Sequence, residues 1–364
     1  DIVIFYNVNQ INLIHFCNYL NNLEILKLIL FCHQQKFSLI LTILCFNISS
    51  SIHASELLAE LNIIKERAPF PGYLYRPNDE KQHPAIILLH GSEGGNGDFW
   101  YRPGQAPTRV GENATLPFIA RYFATLGYVT YAFCYFDCEH HQGYEKYPPN
   151  ELKEVDLLHT TYKAIEWLKS STFVQGKKLA LWGGSRGAEQ AIFLASQLAE
   201  HKSKGVDLII PDTVIALSPY QVVAPSFTLE AARAYINGTT PPMMTFSAPW
   251  IFGKAHYPGK TIEIEHYKGP LLVSYFTEDT VWGPGADIRS LFGRYLESEY
   301  RYISINNQSA SESLFNSIDF KKNDRYFIEF EASGHVFPPQ GMPTNYFYNQ
   351  MTVNFLKYFL GGTL

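Results

Sequence analysis

Residues 178–198 read KLALWGGSRGAEQAIFLASQL. The first five residues are a short, mostly apolar run. The last twelve place Ala188, Ala191, Ile192, Ala195 and Leu198 at helical spacing. Between them stands Gly183-Gly184-Ser185-Arg186-Gly187, a Gly-x-Ser-x-Gly. The string is weak by itself. Set between a strand and a helix, it predicts a sharp turn that presents the serine hydroxyl at the helix N-terminus. The glycines remove side chains that would clash in such a turn, and the helix dipole favours negative charge developing there.

Working outward, apolar runs alternate with helical patterns. Ala85–Leu89 is a strand ending in His90-Gly91, Leu116–Leu126 a helix, and Tyr128–Cys134 a strand. Asn150 is expected to cap a long helix with Leu152, Val155, Leu158, Tyr162, Ile165 and Leu168 on one face. Thr213–Leu217, Leu271–Phe276 and Tyr326–Glu331 read as strands, and Asn345–Phe359 as a closing helix. Continuous apolar strands separated by helices predict an α/β fold: a mostly parallel central sheet with helices on both faces. Residues 220–268 carry five prolines and weak periodicity, so a lid-like insertion is expected there rather than a second domain.

A serine hydroxyl needs a base to take its proton. In this type of fold the partners follow in the order acid, then histidine, each after a later strand. Thr277-Glu278-Asp279 follows one strand and Ala332-Ser333-Gly334-His335 another. Ser185, Asp279 and His335 are therefore the candidate catalytic residues. Asp279 would orient the imidazole, and His335 would serve as base and then as acid. Glu278 and Asp287 compete with Asp279, and His140, His141, His256 and His266 compete with His335. Two backbone donors are expected to hold a developing oxyanion: the N–H of Arg186, and one from the loop after residue 89. Ser92 is the first choice in that loop and Glu93 the second. The Arg186 side chain has two readings, an anionic substrate group or Glu189.

Composition fits a chain with a large, well-packed interior. Of 364 residues, 46% are hydrophobic and 17% charged, which excludes a disordered chain. A net charge of −5 argues against a nucleic-acid binder. Residues 1–54 hold only four charged side chains, Asp1, Glu24, Lys27 and Lys36. Lys36, the run Phe37–Phe46 and the small-residue stretch ending at Ala54 make the three-part pattern of an export signal. That run is too short to span a bilayer. Export to the periplasm or exterior is therefore expected, with no stable membrane span after processing and cytoplasmic residence if the signal is unused. No methionine precedes Met243, and residues 1–35 are expected to fall outside the native product. The catalytic domain then spans 55–364. Cys134 and Cys138 are left after processing. With His140 and His141 following, a local disulfide, free thiols and a non-standard metal site all stay open.

These pieces resemble the α/β-hydrolase superfamily. More narrowly, they resemble the C-terminal catalytic domain of the bile-acid-CoA:amino-acid N-acyltransferase and acyl-CoA thioesterase family, itself dienelactone-hydrolase-like. The segments carrying the resemblance are PAIILLHGSEGG at 84–95, ARYFATLGYVTYAFCYF at 120–136, LWGGSRGAEQA at 181–191, IEHYKGPLLVSYFTEDTVW at 264–282 and EASGHVFPP at 331–339. It implies Ser185 as nucleophile, Asp279 as acid, His335 as base, and an ester or thioester as the small-molecule substrate, with no cofactor. Cytosolic members of the family carry a β-sandwich domain before the catalytic one; with only about 30 residues between Ala54 and the first clear strand, that domain is not expected here. This chain also carries serine where the transferase branch has cysteine, which favours hydrolysis. Alternatives are a peptidase-like or dienelactone-hydrolase-like activity, acyl transfer, and a non-catalytic binding protein on the same fold.

Overall fold

The computed structural model describes residues 62–91, 99–100, 108–109, 115–135, 160–219, 250–251, 254–255, 262–279, 300–322, 324–337 and 342–361. The candidate export signal, Ser92, Glu93, Cys138, His140, His141, His256, Asp287, residues 150–159 and most of 220–261 lie outside them.

Thirteen strands are described: β1 (Ile63–Glu66), β2 (Gly72–Pro77), β3 (His83–Leu89), β4 (Phe99–Trp100), β5 (Thr108–Arg109), β6 (Val129–Phe133), β7 (Val174–Gly184), β8 (Thr213–Leu217), β9 (Trp250–Ile251), β10 (Lys254–Ala255), β11 (Leu271–Asp279), β12 (Arg301–Ile305) and β13 (Arg325–Gly334). The helices are α1 (Thr115–Thr125), α2 (Thr161–Ser170), α3 (Arg186–Ser203), α4 (Glu312–Asn316) and α5 (Pro343–Leu360). Nine strands form one sheet in the order β1-β2-β6-β3-β7-β8-β11-β13-β12. Strands β1 and β2 pair antiparallel, as do β2 and β6; from β6 to β12 every pairing is parallel.

Burial explains why the central strands are apolar along their whole length. Ala85, Ile87 and Leu89 join Leu179, Leu181, Val214, Ala216, Leu271 and Val273 in one core with residues of α2 and α3. The alternate residues Ile86, Leu88, Ala180, Trp182, Ile215 and Leu272 are buried too, on the opposite face. Helix α1 packs on β6, and α5 packs on β7 and β8. A strand covered on both sides must be apolar at odd and even positions alike. Ile262, Ile264 and Tyr267 are buried in the α2/α3-side core, although they end the stretch expected as an insertion. The helix expected from Asn150 is described over Thr161–Ser170, where Tyr162, Ile165 and Leu168 are buried as the spacing requires.

The connections decide where a site can form. From β3 the chain passes through α1 to β6 on one side. From β7 it passes through α3 to β8 on the other. The direction of winding therefore reverses between neighbouring strands β3 and β7. Crevices beyond the carboxyl ends of parallel strands open at such a switch point. Among the described residues no helix is long and apolar enough to cross a membrane.

Candidate active site

Ser185 stands between β7 and α3 with φ 55° and ψ −124°. A side chain at positive φ is strained and persists only where its surroundings hold it. Here the Ser185 N–H donates to the Leu217 carbonyl at the end of β8 (2.7 Å), and its carbonyl accepts from Ala188 N (2.9 Å). Close backbone contact explains the flanking glycines. A Cβ on Gly183 would fall on the Gly187 carbonyl, and one on Gly187 would fall on the Leu89 carbonyl of β3. The turn, the first turn of α3 and the end of β3 thus touch through backbone alone. Ser185 caps an 18-residue helix, and Arg186 is its first residue, with the N–H on the side of the helix end that favours an anion.

Asp279 ends β11, and His335 directly follows β13. The two strands are neighbours, and their register shifts between Phe276 and Glu278, bringing Asp279 opposite Gly334. The His335 Nδ1–H donates to both carboxylate oxygens of Asp279, at 3.0 and 2.8 Å. A carboxylate only accepts, so Nδ1 carries the proton and a neutral ring keeps its lone pair on Nε2. The Asp279 side chain is 1% exposed and that of His335 13%. Glu278 is exposed, so the choice between the two adjacent acids is made by which one points inward.

The histidine turn lies against the serine turn. A Cβ on Gly184 would come within 2.9 Å of Val336 Cγ1. Phe337 stacks on Trp182 of β7 (ring centroids 6.2 Å apart) and meets Tyr348 of α5 edge-on. The structure therefore brings the residue before Ser185 and the residue after His335 together.

Two residues near the site carry more than the sequence suggested. His90, quoted above only as the end of a strand, is buried and stacked on Tyr135, with ring centroids 4.2 Å apart. Its Nδ1–H donates to the Gly91 carbonyl (2.9 Å), and the Tyr135 hydroxyl donates to the His90 carbonyl (2.8 Å). Burial pushes its pKa down to about 3, with the Arg186 charge adding to the effect. His90 is thus a neutral brace for the loop that leaves β3. The apolar run before it was the only signal for its burial. Ser218, fully buried just beyond β8, is the second such residue. Arg186 and Glu189 are both buried, so neither presents its charge to bulk solvent.

Of the competing histidines, His266 is described. It lies on a 3-10 turn, 3.7 Å from Glu263. Glu200, Glu263 and His266 each offer a ligand atom within 4.8 Å of the others, near the far end of α3 from Ser185. Lys204 already pairs with Glu200 there (2.5 Å). Cys134 is disulfide-bonded.

No protein-family model matches the chain, and no curated protein matches it. Solved structures do. A dipeptidyl aminopeptidase IV-type structure from Bacteroides ovatus matches over 81% of this chain and 35% of its own, at 15% identity and a TM-score of 0.46. An esterase from Pyrococcus furiosus matches over 83% of this chain and 95% of its own, at 15% identity and a TM-score of 0.45. A dienelactone hydrolase from Anabaena variabilis matches over 82% and 99%, at 13% identity and a TM-score of 0.40. This chain thus spans about a third of the aminopeptidase-type structure. Likenesses at this level of identity concern the fold alone. The fold rests on the sheet itself: a parallel run beyond two antiparallel pairings, a strained serine between strand and helix at the switch point, and a paired aspartate and histidine at the ends of later strands.

Proposed function

We propose that this chain, which has the α/β-hydrolase fold, is a serine hydrolase that cleaves an ester or thioester through an acyl-enzyme. The observation that carries this reading is the buried Asp279–His335 pair at the ends of β11 and β13, with its turn packed on the turn that strains Ser185. Strain at a non-glycine residue and a carboxylate-oriented imidazole are what an activated hydroxyl requires.

In this reading the Ser185 Oγ attacks the substrate carbonyl and its proton passes to His335 Nε2. The tetrahedral oxygen takes hydrogen bonds from the N–H of Arg186 and one from the loop after β3, for which Ser92 is the proposed donor. The imidazolium then protonates the departing alcohol or thiol. Water, deprotonated by the same ring, releases the acid. Asp279 holds Nδ1–H in place and stabilises the ring's positive charge. The chemistry calls for no cofactor.

The finer assignment, an acyl thioester, rests on the resemblance around SRGAEQA and EASGHVFPP. The proposed export signal in 36–54 argues for an ester instead, because it would separate the enzyme from CoA. Ser185→Ala should lose nearly all turnover of p-nitrophenyl esters while its circular dichroism and melting stay as in the parent. Comparable turnover in that variant refutes the mechanism. Failure of a fluorophosphonate to label Ser185 would favour a binding protein. A panel of p-nitrophenyl esters, acyl-CoAs and peptide amides separates the substrate classes.

A further inference from the structure

Three non-glycine residues among those described have positive φ: Ser185 (55°), Ser218 (50°) and Val336 (65°). They directly follow or lie just beyond the carboxyl ends of β7, β8 and β13. Hydrogen bonds tie them together. The peptide joining Leu217 to Ser218 accepts from Ser185 N through its carbonyl (2.7 Å) and donates to the Ser274 carbonyl through its N–H (2.7 Å). The Ser218 Oγ accepts from the Val336 N–H (3.1 Å) across 118 residues of sequence. Ser218 is fully buried.

The Val336 end of this link is a tight turn. Phe337 N donates to the His335 carbonyl (2.8 Å) around a central residue at φ 65°. That is the rare, strained form of the γ-turn, and a β-branched residue is poorly suited to it. Something must hold it. The Ser218 hydroxyl grips the N–H of that central residue, while the Val336 side chain presses on Gly184.

We infer that Ser218 is a positioning residue that sets the distance and angle between His335 and Ser185. The inference rests on the triad reading above and adds to it. One residue anchors the nucleophile turn through its preceding carbonyl and the histidine turn through its hydroxyl. Without the hydroxyl, the γ-turn loses the acceptor that holds its central peptide, and the imidazole is free to swing relative to Ser185. A displacement near 1 Å at a reacting group costs about a hundredfold in rate.

The test uses Ser218→Ala and Ser218→Gly in the full chain. Both remove the acceptor, and glycine also relieves the positive φ, guarding against a variant that fails to fold from strain. Active sites are counted by fluorophosphonate titration, and kcat and KM are measured per titrated site on a p-nitrophenyl ester. The expected result is a fall in kcat of about ten- to a hundredfold in both variants, with KM within about twofold. A residue that mattered only for folding would lower the number of titrated sites and leave kcat per site unchanged. That outcome, or recovery of parental kcat in Ser218→Gly, overturns the inference. Ser185→Ala keeps the two failures apart. If it stays active, the triad reading falls; if it is dead while Ser218→Ala turns over normally per site, only this inference falls.

Discussion

Replacing Asp279 by Asn should cost about four powers of ten in kcat. The substitution preserves shape and removes the negative charge beside His335. In the proposed mechanism, proton transfer from Ser185 makes the ring a cation 2.8 Å from the nearer carboxylate oxygen. At an effective dielectric of about 20, two unit charges at that separation attract by about 6 kcal/mol. Each 1.36 kcal/mol is tenfold in rate, so losing the attraction costs roughly 10⁴-fold. Tautomer control acts in the same direction. The carboxylate can only accept, so it keeps the proton on Nδ1 and the lone pair on Nε2. An amide that presents its NH₂ to Nδ1 would move the proton to Nε2, where no base remains. The assay is single-turnover release of p-nitrophenol per fluorophosphonate-titrated site, with melting temperature recorded alongside. A variant within tenfold of the parent in kcat would refute the reasoning, because neither the charge nor the tautomer would then be in use.

Two further changes probe the frame around the site. Gly187→Ala would drive a Cβ onto the Leu89 carbonyl and within 2.7 Å of the His90 oxygen, backbone atoms that cannot swing aside. The overpacking should cost about 3 kcal/mol, seen as a drop of several degrees in Tm; an unchanged Tm would contradict the contact. His90, held near pKa 3 by burial, stays neutral in the folded chain while the unfolded chain protonates it near 6.5. The unfolded state binds the extra proton, so this residue's contribution is fully present above about pH 6.5. It is lost as pH falls toward 3, at about 1.4 kcal/mol per pH unit. His90→Asn, whose amide can still donate to the Gly91 carbonyl, should flatten that dependence in urea titrations between pH 6.5 and 4. Parallel pH profiles for parent and variant would show that the buried ring is not titrating on unfolding.

The central strands were legible because burial on both faces forces a local composition. Ala85–Leu89, Thr213–Leu217 and Leu271–Phe276 are runs that need no partner to be recognised. Strands β1, β2 and β12 were not. They mix charged and aromatic residues, as in IIKE, GYLYRP and RYISI, and lie at or beside the sheet edges, where one side meets solvent or a short neighbour. The turn around Ser185 was legible for a different reason: its glycines record clashes with backbone that any such turn would create.

Residue type and spacing alone thus determined the strand–turn–helix at Ser185 and the strands at whose ends Asp279 and His335 stand. Those are properties of neighbours along the chain, and the chain carries them locally. The sequence already favoured Asp279 over Glu278, but the bond from His335 to Asp279 waited for β11 and β13 to pair with a shifted register. The neutral, stacked His90 and the bond from Val336 to Ser218 likewise waited for strands distant in sequence to meet. Burial and a hydrogen bond across 118 residues belong to the packed sheet. No window of sequence contains both partners, so only the tertiary structure could decide them.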